Sequence, residues 1–440
     1  MQRFLLNDLI LWKNSKRRKP LLLQGARQVG KTFLLKNFGN NEYENLFYVN
    51  FEETEDVKRI FENTLDPDNI IEQLTALTAK KIDVKNCLLF FDEIQLCPRA
   101  ITSLKYFFEK KPHIHLVAAG SLLGVSLGKD ISFPVGKVNF KTLYPLSFQE
   151  FLMAVDESAL IDVLTGLKQI KPIPDVIHKR LLELYQKYLF IGGMPEVVEY
   201  YRENRDFVGV REIQDEILES YQRDFSKYAN VQESIKIIEL WRTIPGLLSK
   251  ENKKFTFSAI KKGSRLAQYR AAIEWLRGAG LIHLAYNCKK AALPLGGYSE
   301  NNKFKIYLSD TGLLGAMLNI HSKVIIKVDK IFSEYNGAFI ENFTAIELVS
   351  FGLKSLHYWT SKSDAEVDFL LDFENIILPL EVKSGLNRNI KSLRSYADKY
   401  SPKYIFRVSP RNFTNDKDFV NIPIYAVGFF FKYLDIILND

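Results

Sequence analysis

The 440-residue chain reads as an α/β protein of several domains, and three observations carry that reading. An apolar strand, Leu21-Leu22-Leu23-Gln24, turns through a glycine-bearing loop into the helical pattern Phe33, Leu34, Leu35, Phe38. A second apolar strand, Cys87–Phe91, ends on two carboxylates, Asp92-Glu93. After Leu314 the apolar pattern restarts and gives helices and strands in the order α-β-β-β-α-β. Length agrees, since roughly 150 residues per domain implies about three domains.

The first loop, Gly25-Ala26-Arg27-Gln28-Val29-Gly30-Lys31-Thr32, is G-x-x-x-x-G-K-T between a strand and a helix, which is the context a phosphate-binding loop requires. Its glycines let backbone N–H groups curl around phosphates, Lys31 reaches the outer phosphate oxygens, and the Thr32 hydroxyl suits a magnesium ion. With Phe33, which opens the helix, these residues form the expected set for ATP and Mg2+. Such a loop calls for an acidic element on another buried strand. Asp92 would hold the magnesium through its water shell, and Glu93 would orient and deprotonate an attacking water. Taken alone, the same pair could merely cap the helix that begins near Pro98. A third strand, Ile114–Ala119, ends in Gly120-Ser121, where Ser121 is either a contact to the γ-phosphate or water, or an ordinary loop serine.

Beyond these motifs lie Asp92-Glu93-Ile94-Gln95, Ala119-Gly120-Ser121-Leu122-Leu123-Gly124, Phe133-Pro134-Val135-Gly136-Lys137 and Tyr144-Pro145-Leu146-Ser147-Phe148-Gln149-Glu150-Phe151. Together with Gly192-Gly193-Met194-Pro195 and Leu308-Ser309-Asp310-Thr311-Gly312-Leu313-Leu314, the chain resembles the prokaryotic AAA-type ATPases with a C-terminal DUF4143 domain. The resemblance implies a P-loop parallel sheet in which the strand carrying Ser121 lies between those of Lys31 and Asp92, followed by a helical lid. It also implies kinship with archaeal ATPases and STAND-type switches, which share a Gly-x-Pro element such as Gly193-Met194-Pro195. Where relatives would show an arginine after Pro-Val-Gly, this chain has Lys137.

On this reading residues 1–150 are the ATPase domain and 151–230 the lid, whose helical pattern interleaves charged and apolar residues as in Leu181-Leu182-Glu183-Leu184. Residues 231–325 read as a winged helix. Helix Ser234–Leu248, strand Phe255–Phe257, helix Ser258–Lys262, turn Gly263-Ser264 and helix Arg265–Arg277 are followed by strands Leu281–Tyr286 and Phe304–Leu308. In DNA readers of this kind the second helix of the motif enters the major groove, which would set Arg265, Gln268, Tyr269 and Arg270 against DNA. Between Lys250 and Lys290 ten Lys and Arg stand against Glu251 and Glu274, an excess of eight that equals the chain's net charge of +8. Such a concentration fits a nucleic-acid contact or a solvated helical face.

Residues 326–440 resemble the PD-(D/E)xK nuclease superfamily. Asp368 sits on one strand and Glu381-Val382-Lys383 on the next, and alternation along a strand puts Glu381 and Lys383 on one face. Glu341, on the preceding helix Ser333–Ser350, completes the expected set: Glu341, Asp368 and Glu381 as ligands of a hard, oxygen-bound metal, with Glu381 and Lys383 positioning and polarising the attacking water. Glu366 shares the face of Asp368 as an extra ligand or an edge charge. Both DNA cleavage and a binding platform without cleavage fit the pattern.

Composition excludes other classes. No apolar run approaches the ~18 residues of a membrane span, a secretory signal is not expected from Met1–Asn14, and Cys87, Cys97 and Cys288 fit neither a disulfide framework nor a zinc site. A cytoplasmic setting is expected, with ATP, DNA and either a protein partner or a second copy as partners, and no membrane. The alternating pair His113 and His115 reads as structural.

Overall fold

Parallel strands covered on both faces need uninterrupted apolar runs, and the N-terminal third supplies them. In a computed structural model, which describes residues 1–53, 55–78, 86–121, 134, 136–228, 231–248, 265–320, 331–361, 365–385, 390–416 and 418–439, the chain divides into two units: Met1–Tyr144 with Gly278–Gly280, and Pro145–Arg277 with Leu281–Asp440. The first unit contains α1 (Leu5–Lys13), β1 (Leu21–Gln24), α2 (Lys31–Glu42), β2 (Asn45–Asn50), α3 (Glu55–Asn63), α4 (Pro67–Thr78), β3 (Cys87–Asp92), α5 (Pro98–Lys110), β4 (His115–Ala119) and β5 (Asn139–Thr142).

The five strands pair entirely in parallel, in the order β2-β3-β4-β1-β5. Strand β4, which leads to Ser121, therefore lies between β1 and β3, the order implied by the family resemblance. Alternate residues Leu22, Leu89, Phe91, Leu116 and Ala118 face one side and pack against α3, α4 and α5. Phe91 meets Phe51, Phe61 and Phe107 edge-on, with ring centroids 5.8, 5.5 and 6.1 Å away. Burying a phenylalanine contributes about 1.5–3 kcal/mol, and each edge-to-face pair adds about 0.5–1.5 kcal/mol, so this cluster anchors the strand that carries Asp92. Among the residues on the opposite side, Trp12 of α1 packs on Phe38 of α2 and on His115. His115 also bonds the Tyr43 hydroxyl through Nδ1 at 2.6 Å, and burial lowers its pKa to about 4. That is the structural role expected of it.

The second unit begins with a helical run: α6 (Phe148–Ala154), α7 (Ser158–Thr165), α8 (Asp175–Ile191), α9 (Pro195–Asn204), α10 (Phe207–Tyr228), α11 (Val231–Leu248) and α12 (Leu266–Gly278). Helix α6 starts on a reciprocal cap, since Ser147 accepts from the Glu150 N–H while Glu150 accepts from the Ser147 N–H. There follow β6 (Ile282–Cys288), β7 (Ser299–Leu308), α13 (Thr311–Met317), α14 (Ile331–Ser350), β8 (Leu356–Thr360), β9 (Glu366–Phe373), β10 (Ile376–Val382), α15 (Lys391–Tyr400), β11 (Ile405–Ser409), β12 (Thr414–Asp416), β13 (Phe419–Pro423) and α16 (Phe430–Asn439).

The α-β-β-β-α-β order expected after Leu314 is present as α14, β8, β9, β10, α15 and β11. It forms part of a larger mixed sheet of eight strands, β12-β13-β11-β10-β9-β8-β6-β7. The hairpin read as the wing does form, β6 pairing antiparallel with β7, but it is not a free wing. Ala285–Cys288 of β6 pairs in parallel with Leu356–Trp359 of β8, so the sheet runs straight across the expected boundary at 325/326. Strand Phe255–Phe257, helix Ser258–Lys262 and turn Gly263-Ser264 lie outside the described residues. Tyr269 corrects another expectation. It is buried and donates its hydroxyl hydrogen to Glu239 at 2.7 Å, because it falls on the α12 face that packs inward, whereas Arg265, Gln268 and Arg270 are exposed.

Candidate functional site

The loop after β1 is shaped by positions that only small or left-handed residues tolerate. Gly25 has φ +150°, and a Cβ there would sit 2.2 Å from the Leu143 carbonyl oxygen. Gln28 and Gly30 adopt φ values of 63° and 90°, which turn the chain into the start of α2. Arg3 braces the loop from behind, donating to the Val29 carbonyl at 2.9 Å and the Tyr144 carbonyl at 2.5 Å. Lys31 is buried and folds back over the loop, its Nζ donating to the carbonyls of Gly25 at 3.0 Å and Ala26 at 2.7 Å. Burial lowers its pKa to about 8, against the opposing pull of Glu93 and Asp92. Arg27, Gln28 and Phe33 stand at the outer side of the loop, with Phe33 well exposed.

The sheet order brings the other expected residues to this loop. Thr32 Oγ1 donates to Asp92 Oδ2 at 2.8 Å, joining the first turn of α2 to the end of β3. Asp92 Oδ1 accepts from the Glu93 N–H at 3.1 Å. Glu93 has φ 49°, a left-handed turn that directs its side chain away from the strand. Gln95 donates from Nε2 to Glu93 Oε2. Ser121 is buried just past β4. Thr32, Asp92 and the oxygen-rich surroundings of Lys31 fit a hard divalent ion beside a triphosphate. Lys137, found where an arginine was expected, pairs with Glu109 of the same unit at 3.1 Å. Leu122–Gly124, Phe133 and Val135 of the expected motifs lie outside the described residues.

Sequence reading missed two supports of this site. Tyr48 on β2 donates its hydroxyl hydrogen to Asp92 Oδ2 at 3.0 Å, and the Lys36 ammonium lies 3.7 Å from its ring centroid. Arg3 is the other. Each acts through a pairing of distant segments, and neither belongs to a motif.

The C-terminal carboxylates converge differently from expectation. Lys305 on β7 is fully buried, and its Nζ lies 2.9 Å from Glu341 Oε1, 2.5 Å from Glu366 Oε1 and 3.7 Å from Asp368 Oδ1. Tyr307 adds a 2.5 Å hydrogen bond to the same Glu341 oxygen. Burial alone would lower the Lys305 pKa, but Glu341, with Tyr307, Asp368 and Glu366, outweighs it and holds the ammonium well above the usual lysine range. Glu381 pairs instead with Lys383, and burial raises its pKa. Asp368 spans both groups, since its Oδ2 accepts from the Val382 N–H at 2.8 Å. Among the described residues, no three His, Cys, Asp or Glu side chains form a group that could hold a metal ion.

Three domain families match the chain. The AAA domain covers residues 17–152, DUF8612, a domain of unknown function, covers 182–324, and DUF4143, also of unknown function, covers 336–427. The chain is an AAA-type protein with a C-terminal DUF4143 domain. No curated protein matches it in sequence. Among solved structures, a Walker-type ATPase of Pyrococcus abyssi is similar at 15% identity and TM-score 0.45, over 72% of this chain and 95% of that one. Orc1 of Aeropyrum pernix, solved in complex with DNA, is 14% identical with TM-score 0.27, over 72% and 90%. DnaA of Aquifex aeolicus, bound to AMPPCP, is 16% identical with TM-score 0.25, over 62% and 86%.

Two further motifs of this AAA-type chain meet inside its second unit. Asp310 caps α13 by accepting from the Leu313 N–H at 2.8 Å and also accepts from the Gly193 N–H at 2.6 Å. The Gly-Gly-Met-Pro and Leu-Ser-Asp-Thr-Gly elements are therefore one structural joint. A Cβ on Gly192 would stand 2.3 Å from Asp310 Oδ1, which explains the glycine.

Proposed function

We propose that this protein binds ATP with Mg2+ and hydrolyses it to ADP and phosphate, coupling its nucleotide state to engagement of DNA. The observation that carries the reading is the Thr32 hydroxyl on Asp92 at 2.8 Å, directly before Glu93 and beside the buried Lys31. Thr32 and Asp92 would hold the magnesium, which neutralises phosphate charge when bound. Backbone N–H groups from Gly25 to Thr32 cradle the phosphates, with Phe33 flanking them, and Lys31 binds the outer oxygens. Glu93 accepts a proton from the attacking water as a P–O bond forms to that water and the bond to the β-phosphate bridging oxygen breaks. Ser121 orients the water or the γ-phosphate. The test is nucleotide binding and phosphate release. Lys31→Ala is expected to abolish binding, whereas Glu93→Gln should keep ATP bound and lower kcat by roughly 10²–10⁴-fold. Unchanged turnover in Lys31→Ala would sink the reading.

For the DNA arm, exposed Arg265 just before α12, Gln268 and Arg270 on it, and the Lys250–Lys290 excess support phosphate contacts. Affinity for duplex DNA should then fall steeply with salt. A flat response would instead mean that this segment serves packing. A second reading is an ATP-dependent switch whose nuclease-like C-terminal region binds a partner without cleaving it. The Lys305 pairing with Glu341, Glu366 and Asp368 favours this reading over cleavage.

A further inference from the structure

We infer that Lys305 is a resident cation standing where a nuclease-like carboxylate site would hold its metal, so that this site takes up no divalent ion. The inference rests on the nuclease-like reading of the C-terminal region and is independent of the ATP site.

Three carboxylates from two elements, Glu341 of α14 with Glu366 and Asp368 of β9, point at one ammonium. Glu341 is buried while Asp368 and Glu366 keep 16% and 29% of their side-chain surface, and a buried carboxylate beside two others is costly without a cation. Two candidates could supply it, a divalent ion from solvent or a side chain of the protein, and the fold supplies the second. Lys305 is anchored mid-strand on β7 with no exposed surface of its own, so its ammonium is held against these carboxylates and not in water. The Glu341 oxygen nearest the cluster centre already accepts from both Lys305 and Tyr307. A metal entering there would have to displace the ammonium and strand it in the interior, and a lysine, unlike a carboxylate, offers the ion no ligand. Sequence reading placed Glu341, Asp368 and Glu381 on the metal. The fold gives the first two to Lys305 and pairs Glu381 with Lys383. Lys305 belongs to the hairpin before the nuclease-like segment, and the β6–β8 pairing joins that hairpin to the sheet of the carboxylates.

The consequence is a site that keeps the shape of a nuclease without its cutting charge. Removing the ammonium should convert it into a metal site. The experiment is Mn2+ uptake, read by loss of the free-ion electron paramagnetic resonance signal, on nucleotide-free full-length protein. Wild type and Asp368→Asn should take up the same amount. Lys305→Ala, which opens room for an ion, should bind roughly one further Mn2+ per chain, lost again in Lys305→Ala/Asp368→Asn. The same Mn2+ should raise the melting temperature of Lys305→Ala and leave that of wild type unmoved. Should Lys305→Ala fail to fold, Lys305→Ala/Glu366→Gln, with one carboxylate charge fewer, carries the test. Uptake by wild type that Asp368→Asn abolishes overturns the inference, as does a folded lysine-free variant that gains no Mn2+. DNA cleavage assays on the same proteins separate the two readings. Mn2+ uptake by Lys305→Ala without cleavage upholds the resident cation and favours a nuclease-like region that binds without cutting. ATP turnover measured alongside reports on the ATP site by itself.

Discussion

Tyr48 donates its hydroxyl hydrogen to Asp92 at 3.0 Å, on the same Oδ2 that accepts from Thr32. Asp92 is thereby held from two sides, by α2 and by β2, before any ligand arrives. The tyrosine meets the site through this carboxylate, so its effect passes through the orientation of Asp92. Tyr48→Phe removes one hydrogen bond to a charged group, worth about 1.5 kcal/mol. Steady-state kinetics should show kcat lower by roughly tenfold, a shift to higher Mg2+ requirement, and little change in ATP affinity. A variant with wild-type kcat and wild-type Mg2+ dependence would remove Tyr48 from the machinery.

Gln95 links the ends of two strands. Its Nε2 donates to Glu93, and its Oε1 lies where a Cβ on Gly120 would come within 2.5 Å. Gly120→Ala should therefore push the amide aside and drag Glu93 with it, lowering kcat by roughly tenfold to a hundredfold while the fold survives, because the clash is with the end of a flexible side chain. Gln95→Ala should have a similar effect by releasing Glu93. If both act through one contact, the double variant should be no slower than the worse single variant, the non-additivity of coupled neighbours. Losses that multiply in the double variant would separate the two residues.

The phosphate loop, the Asp92-Glu93 strand and the C-terminal element order were legible because each is local: a strand, a loop and a helix in one stretch of sequence. The supports were not. Tyr48 and Arg3 act across pairings of distant segments, and a tyrosine in Asn45–Asn50 reads as an ordinary strand residue until β2 is known to neighbour β3. The continuity of the sheet across residue 325 was hidden for the same reason. A parallel pairing such as β6 with β8 carries no turn signal, since its partners lie far apart in the chain, with β7, α13 and α14 among the elements between them. Lys305 shows the cost at a site. Glu341, Asp368 and Glu381 stood out as acids in a known pattern, while the lysine that neutralises two of them looked like one more charge on a strand. Tyr269 failed differently, because half of a short amphipathic helix must face inward and α12 spends that face on α11.

Lys31 makes ATP affinity dependent on pH in a direction the structure sets. In the free protein, burial lowers its pKa to about 8, whereas a bound triphosphate would hold it protonated. Below pH 8 the free protein already carries the proton, so binding moves none and affinity is level. Above pH 8 the lysine is neutral in the free state, binding must take up a proton, and affinity falls toward the limit of tenfold per pH unit. Calorimetric titration with Mg2+ and a non-hydrolysable ATP analogue should therefore give a Kd that rises roughly fivefold between pH 8 and pH 9, with proton uptake visible as a buffer-dependent heat. Lys31→Arg supplies the control, because a guanidinium stays charged throughout this range. It should bind more weakly at neutral pH, since it cannot fit the fold-back onto the Gly25 and Ala26 carbonyls, yet show a level profile. A wild-type curve as flat as that of Lys31→Arg up to pH 9.5 would mean that the loop lysine enters its site fully charged, and that its burial leaves the electrostatics of phosphate binding unaltered.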